Sequence, residues 1–318
     1  MKKKMSRRKK GNPVHGWVIL DKPTGMTSTQ AVATVRRVFD AQKAGHAGTL
    51  DPLATGILAI ALGEATKTVP YVQDGEKEYR FTARWGEARD SDDAEGKVTQ
   101  TSDVRPDRAA IEAMLPRFTG TLTQVPPAYS AIKVGGERAY DLARDGETVT
   151  LEPRTVEVSQ ARLSTLPDED HAEFEIHCGK GTYVRSWVRD MARALGTVGH
   201  VSALRRTRIG GFAEKDAVGL ETLTPFMHSP AAFAYLKPLS TALDGIPALA
   251  VNGSDTVRLR SGNPILLRAP LFARMKDMVS ADDEFQGLTV FLSDAEGSPV
   301  ALAEIAEGEL RPFRVFNL

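Results

Sequence analysis

The chain has a single cysteine, Cys178, among its 318 residues. No intrachain disulfide can form, and no thiolate cluster is available to hold zinc. Apolar runs are short: stretches such as "ILAIAL" at 57–62 stop far below the roughly 18 residues that span a bilayer. The basic start "MKKKMSRRKK" is not followed by an apolar h-region, and "WVIL" at 17–20 is too short to be one. That argues against a signal peptide and makes the cytoplasm the expected compartment. Also missing are the phosphate loop GxxxxGK(S/T), the dinucleotide fingerprint GxGxxG, the zinc motif HExxH and the nucleophile elbow GxSxG. The six histidines are scattered without metal-ligand spacing. Any catalysis is therefore expected to run with no cofactor and no metal.

A core is affordable, with 42% hydrophobic and 26% charged residues, and the length suits about two domains of ~150 residues. Net charge is zero, but seven of the first ten residues are Lys or Arg. Removing those seven from the 41 basic residues leaves 34 against 41 acidic ones, a body of net charge −7. Nucleic-acid binders usually carry excess positive charge, so any RNA must meet local basic patches. Residues 1–12 form a solvated basic tail that adds phosphate attraction weakening with salt.

Periodicity places the elements. "GWVILDKP" (16–23) reads as a strand and turn, and "TSTQAVATVRRVF" (27–39) as a helix capped by Thr27 with Gln30 at the capping-box position. "ILAIAL" is a buried strand, and "EATKTVPYV" (64–72) a short helix. In "KEYRFTARWG" (77–86), Tyr79, Phe81, Ala83 and Trp85 alternate with polar residues, the pattern of a half-buried strand. "EARDSDDAEGK" (87–97) reads as an acidic, solvated loop. Residues 124–146, with Pro-Pro and Gly-Gly before a short helix, form an excursion from the core. "RTVEVSQARL" and "AEFEIHCG" are strands, and "TYVRSWVRDMARALG" (182–196) is an amphipathic helix ending at a glycine. Short strands after about 247, with one helix near 254–261, make a small β-rich domain over 247–318.

Six segments then occur in one order: "LDKPTGMTS" (20–28), "GHAGTLDPLATGILAIALGEATK" (45–67), "KEYRF" (77–81), "QVPPAYSAIKVGGERAYDLAR" (124–144), "CGKGTYVRSWVRDMARALG" (178–196) and "HVSALRRTRIGGF" (200–212). Together they resemble the TruB family, the tRNA pseudouridine-55 synthases. The C-terminal part is similar to a PUA domain through "RLRSGNPI" and "GELRPFRVF". The resemblance implies an α+β fold with a mixed, largely antiparallel sheet flanked by helices. It implies a catalytic domain over 13–246, a thumb-like RNA-binding excursion at 124–146 and the PUA-like domain. The implied reaction turns a flipped-out uridine of the tRNA T-loop into pseudouridine. The implied partner is the tRNA T-arm, with no membrane and no obligate protein partner, and a monomer is expected.

Asp51 stands first among the candidate residues. An Asp-Pro pair is ordinarily a turn. The functional alternative is a carboxylate that traps or stabilises positive charge at C1′ as the glycosidic bond breaks. "GTLDP" matches the family's catalytic loop, so the resemblance makes Asp51 the nucleophile. Attack at C1′, addition to the pyrimidine ring and assistance of elimination to a glycal all stay open. Arg185 matches the arginine that pairs with this aspartate; a fixed cation would keep it ionised. Tyr79 is either core or, by resemblance, the ring that stacks on the target base and handles a proton. Tyr183 and Leu204 match residues of the uracil pocket; read alone, each is core. His46 is structural by itself, and by resemblance it replaces lost stacking where the base leaves the T-loop. Lys133, Arg138, Arg189, Arg205 and Arg206 are basic positions that could meet phosphate or merely be solvated charge. Lys22 and Lys67 match motif positions without a chemical step.

Two other functions use the same scaffold: a guide-dependent synthase within a ribonucleoprotein, and a non-catalytic tRNA-binding or tRNA-folding protein. A glycoside hydrolase would need a second carboxylate placed with Asp51.

Overall fold

The computed structural model describes residues 11–130, 132–144, 149–278 and 285–318. Residues 1–10 of the expected tail and the acidic stretch at 281–284 lie outside the described residues.

A ten-stranded sheet organises the larger part. Its path runs Val218–Gly219, Gly16–Lys22, Thr55–Leu62, Gly199–Ile209, Lys77–Trp85, His171–Cys178, Arg154–Thr165, Gly120–Gln124. Ala44–Ala47 and Phe212–Ala213 pair beside that path. Leu20↔Val218 and Arg205↔Thr55 are parallel contacts, whereas the neighbouring strand pairs are antiparallel. The sheet is thus mixed and largely antiparallel, and the fold is α+β.

The sequence explains where each strand lies. Thr55–Leu62 is buried along both faces and accordingly reads as an unbroken apolar run. Lys77–Trp85 alternates because Phe81, Ala83 and Trp85 enter the core, while Arg80 and Arg84 face away. The helix Val184–Ala194 covers this core face with Trp187, Val188 and Met191. Trp187 meets Phe81, Phe174 and Phe118 at centroid distances of 5.5, 5.3 and 5.7 Å. The helix Ser28–Val38 packs on the same face through Ala31, Val35 and Val38, and its Thr27–Gln30 capping box is formed.

Trp17, Ile19, Ile57, Ala59 and Ala61 point to the other face. There they share one apolar cluster with Phe291, Leu302 and Phe316 of a second, five-stranded sheet. That sheet runs Ala248–Ala250, Thr289–Ser293, Pro299–Ala306, Glu309–Val315, Ile265–Leu266. Helices Gly253–Arg260 and Ala269–Lys276 accompany it, the second of which the sequence did not announce. Polar ties reinforce the junction: Lys67 Nζ donates to the Val315 carbonyl at 2.7 Å, and the Asn317 amide to Glu64 at 2.9 Å. No helix among the described residues is long and apolar enough to cross a membrane.

Two segments differ from expectation. "EATKTVPYV" divides at Pro70 into a 3-10 turn (Gly63–Lys67) and the helix Val69–Asp74, since proline fits only the first turn of a new helix. The supposed solvated loop 87–97 contains a strand, Glu87–Arg89, paired with Val98–Thr101. The turn between them is drawn inward, with Ser91 and Asp93 buried.

The excursion after Gln124 contains a hairpin, Lys133–Val134 against Glu137–Arg138, and the helix Ala139–Arg144. Gly135 and Gly136 have φ of +61° and +99°, the left-handed values that a two-residue hairpin turn demands.

Candidate active site

The loop that carries Asp51 is fixed from below. Leu50 enters the core, and both its amide and its carbonyl are bonded to the Ser28 hydroxyl at 2.9 Å. The Ala54 amide donates to the Asp51 carbonyl at 3.1 Å, closing the turn around Pro52. The buried Lys22 ammonium donates to the carbonyls of Pro23, Met26 and Pro52 at 2.8, 2.8 and 3.3 Å. Lys22 thereby clamps the Asp51 loop to the turn after the first strand. Burial pulls its pKa down to about 8 against the pull of the Asp51 charge. Gly56 has φ +94°, and a Cβ there would fall 2.2 Å from the Arg206 carbonyl oxygen, so only glycine fits.

Asp51 keeps 32% of its side chain exposed, while its partner is buried. Arg185 Nε lies 3.0 Å from Asp51 Oδ2, and Arg185 Nη1 lies 3.4 Å from Asp93 Oδ2. The remaining donors go to main-chain carbonyls: Nη1 to Ser91 and Nη2 to Tyr129, each at 2.8 Å. Asp93 is held in turn by the Ser91 hydroxyl at 2.6 Å and the Glu95 amide at 3.1 Å. One guanidinium therefore serves two carboxylates, only one of which is open. Desolvation raises the Asp51 pKa, Arg185 and Lys22 oppose that rise, and the Asp93 charge adds to it. The result is a carboxyl above the usual range, held against a permanent cation. Such a group can attack an electron-poor carbon or stabilise developing positive charge.

Tyr79 is half-buried and stands directly across the strand pair from Arg206. Burial pushes its hydroxyl up, and the Arg206 guanidinium beside it opposes that rise; the Asp51 charge adds to it. Tyr183 sits at the N-cap of the helix bearing Arg185. Its amide and carbonyl are bonded to Gln124 at 2.8 and 3.0 Å, and Arg154 lies 4.8 Å from its ring centre. Leu204 is buried opposite Phe81. It borders an open hollow of about 430 Å³ whose wall includes Leu53, Thr55, Arg80 and Thr82, but not Asp51, Tyr79 or Arg185. His46 is half-buried, its Nδ1 has no partner among the described residues, and burial and then Arg206 lower its pKa, favouring the neutral ring.

The basic positions divide differently from the sequence expectation. Lys133 is exposed on the hairpin, and the side chain of Arg138 lies outside the described part. Arg189 is committed to Asp92 at 2.9 Å, to Asp190 at 2.8 Å and to the Val125 carbonyl. Arg205 holds both oxygens of Asp21 at 2.9 Å and Glu214 at 2.6 Å. Arg206 departs from both sequence readings, phosphate contact and solvated charge, because its side chain is buried. Side chains alternate along a strand, so Arg205 faces outward while Arg206 is 1% exposed. Lys67 is occupied at the junction with the second sheet.

Ser91 and Asp93 were missed because a run of Asp, Ser and Glu reads as solvated. A usable signal was the turn pattern itself, in which alternate side chains at 91 and 93 cap the chain and turn inward. Glu76, Glu78 and His177 are the one group of three metal-capable side chains close together among the described residues. Glu78 there is already paired with Arg208 at 3.0 Å. Burial pushes the Cys178 thiol up to about 11, which keeps it protonated and a poor nucleophile.

Comparison with known proteins follows the same outline. Residues 36–184 match the family described as TruB family pseudouridylate synthase (N terminal domain), and residues 185–244 match the tRNA pseudouridylate synthase B C-terminal domain. A tRNA pseudouridine synthase B of Bradyrhizobium diazoefficiens is 55% identical over 325 residues, covering 98% of this chain and 91% of that protein. Another, from Caulobacter sp. (strain K31), is 53% identical and covers 99% and 100% respectively. Among solved structures, an H/ACA RNP bound to a substrate RNA containing 2'-deoxyuridine aligns with a TM-score of 0.71. It covers 99% of this chain and 92% of that chain at 21% identity, a likeness of fold.

Proposed function

The chain belongs to the TruB family of pseudouridylate synthases, and from that premise we propose that it isomerises uridine 55 in the T-loop of tRNA with Asp51 as nucleophile. Pseudouridine formation in tRNA is the activity its relatives carry in their names. The observation that carries the finer reading is the 3.0 Å pair between the open Asp51 carboxylate and the buried Arg185.

In this reaction the C1′–N1 bond breaks, the uracil turns in place, and a C1′–C5 bond forms. The C5 proton leaves to solvent and N1 gains one, so no redox partner is required. Asp51 meets the carbon or ring position that becomes electron-poor, and Arg185 holds the carboxylate ionised and aimed. Tyr79 stacks on the extruded base, a contact worth roughly 1–3 kcal/mol, and its hydroxyl receives or returns a proton. Tyr183 and Leu204 complete the uracil pocket, and His46 fills the stacking place that the uridine vacates. The 124–146 excursion, with Lys133 and Arg138, grips the T-arm. The chain works as a monomer in the cytoplasm, without cofactor, metal, guide RNA or protein partner.

The test is tritium release from C5-labelled uridine in an unmodified tRNA transcript, with tRNA binding measured in parallel. Release by wild type, lost in Asp51→Asn with binding retained and lost when position 55 is cytidine, is the expected outcome. No release by a folded, tRNA-binding wild type overturns the reading in favour of a guide-dependent or non-catalytic role.

A further inference from the structure

Arg206 is buried to 1% exposure, and an arginine cannot discard its charge to reduce the cost. Burying an ion costs several kcal/mol unless its donors are answered. Among the described residues no carboxylate pairs with it. Its donors go to two carbonyls instead: Nη2 to Gly48 at 3.0 Å and Nε to Ile57 at 2.8 Å. Those carbonyls flank the loop that carries Asp51. Gly48 itself has φ +70°, and a Cβ there would fall 3.1 Å from Nη1, so the glycine leaves the guanidinium its place. On its third side Arg206 faces Tyr79, its partner across the strand pair.

We propose that Arg206 is a positioning residue for the isomerisation, closing both ends of the Asp51 loop and holding it in one register with the Tyr79 ring. The inference rests on the pseudouridine-forming reading above. The planar fork reaches two carbonyls while lying beside a phenol; a lysine ammonium is a point donor on a flexible stem and cannot hold both loop ends in one plane. Misplacing a reacting group by about 1 Å can cost ~100-fold in rate.

The test compares Arg206→Lys and Arg206→Gln with wild type in single-turnover tritium release at saturating enzyme, alongside tRNA affinity and thermal unfolding. The expected result is a folded variant whose tRNA Kd stays within about twofold while its rate falls about 100-fold. In a Tyr79→Phe background the same substitution should cost less than about tenfold, because residues acting as a unit are not additive. A variant rate within about threefold of wild type overturns the proposal. So does a weakened Kd with an unchanged saturating rate, which would make Arg206 an RNA contact. An inactive wild type would instead fail the pseudouridine reading itself. If neither variant folds, 15N-arginine labelling of wild type decides: a slowly exchanging Nε–H, unchanged by tRNA, supports the clamp. Exchange as fast as that of exposed arginines overturns it.

Discussion

Asp93 Oδ2 lies 3.4 Å from the same Arg185 guanidinium whose Nε lies 3.0 Å from Asp51. The two carboxylates compete for one cation, and the Asp93 charge raises the cost of ionising Asp51. Removing the Asp93 charge has two effects. Arg185 loses an orienting partner, and Asp51 loses a repelling neighbour. Asp93→Asn should therefore lower kcat by roughly 10–100-fold with tRNA affinity retained. Its acid limb should move to lower pH, because Asp51 then ionises more easily. A pH–rate profile of tritium release, wild type beside variant, checks both.

Arg185→Met leaves two carboxylates facing each other with no cation between them. Breaking a buried pair in this way costs about 3–5 kcal/mol, to be read from urea unfolding at pH 7. The unpaired acids take up protons in the folded state, so the deficit should shrink as the pH is lowered toward the carboxylate range.

Asp51→Asn should abolish product and yet not weaken the fold. The carboxyl's pKa is raised in the folded protein, chiefly by desolvation. Its favourable contribution is complete below the unfolded pKa and disappears as pH rises through the folded one. The amide copies the protonated form at every pH. Thermal unfolding at pH 8 should place the variant at or above wild type, and the gap should close near pH 4.

Gly56→Ala and Gly25→Ala separate crowding from backbone strain. Both glycines have positive φ, +94° and +75°, but only at Gly56 does a Cβ meet an atom, the Arg206 oxygen at 2.2 Å. Gly25→Ala should cost about 1–2 kcal/mol for the left-handed conformation alone. Gly56→Ala should cost at least about 3 kcal/mol by adding a clash to that strain. Urea unfolding of the two variants measures the difference.

Lys133 is exposed on the hairpin. Lys133→Ala should weaken tRNA binding and reduce the salt slope of log Kd by about one. The single-turnover rate at saturating enzyme should not change. Arg189→Ala should act through stability instead, because Asp92 and the Val125 carbonyl would lose their partner.

Much of the fold was legible because it rests on local periodicity. The Thr27–Gln30 capping box, the alternation through Tyr79 to Trp85 and the helix carrying Arg185 each follow from spacing in one stretch of chain. Asp51 and Arg185 were legible as types and as motif positions. Their contact across 134 positions of sequence could be named only by resemblance. Asp93 was legible only as an inward-turning cap: its pairing depends on Arg185 arriving from another element, and a polar string carries no trace of that partner. Arg206 failed for the opposite reason. Its neighbours are basic, so it read as part of a patch, although strand alternation already divides that patch between two faces.

The contact between Arg185 Nη2 and the Tyr129 carbonyl has a mechanical meaning. A guanidinium is one stiff plate, and this plate is gripped at Asp51, at the turn around Ser91 and at the root of the hairpin. The plate is a rocker: the hairpin root cannot shift by a hydrogen bond's width without tilting the plate or releasing it. A displacement at Tyr129 is thus passed through a single side chain to the carboxylate of Asp51.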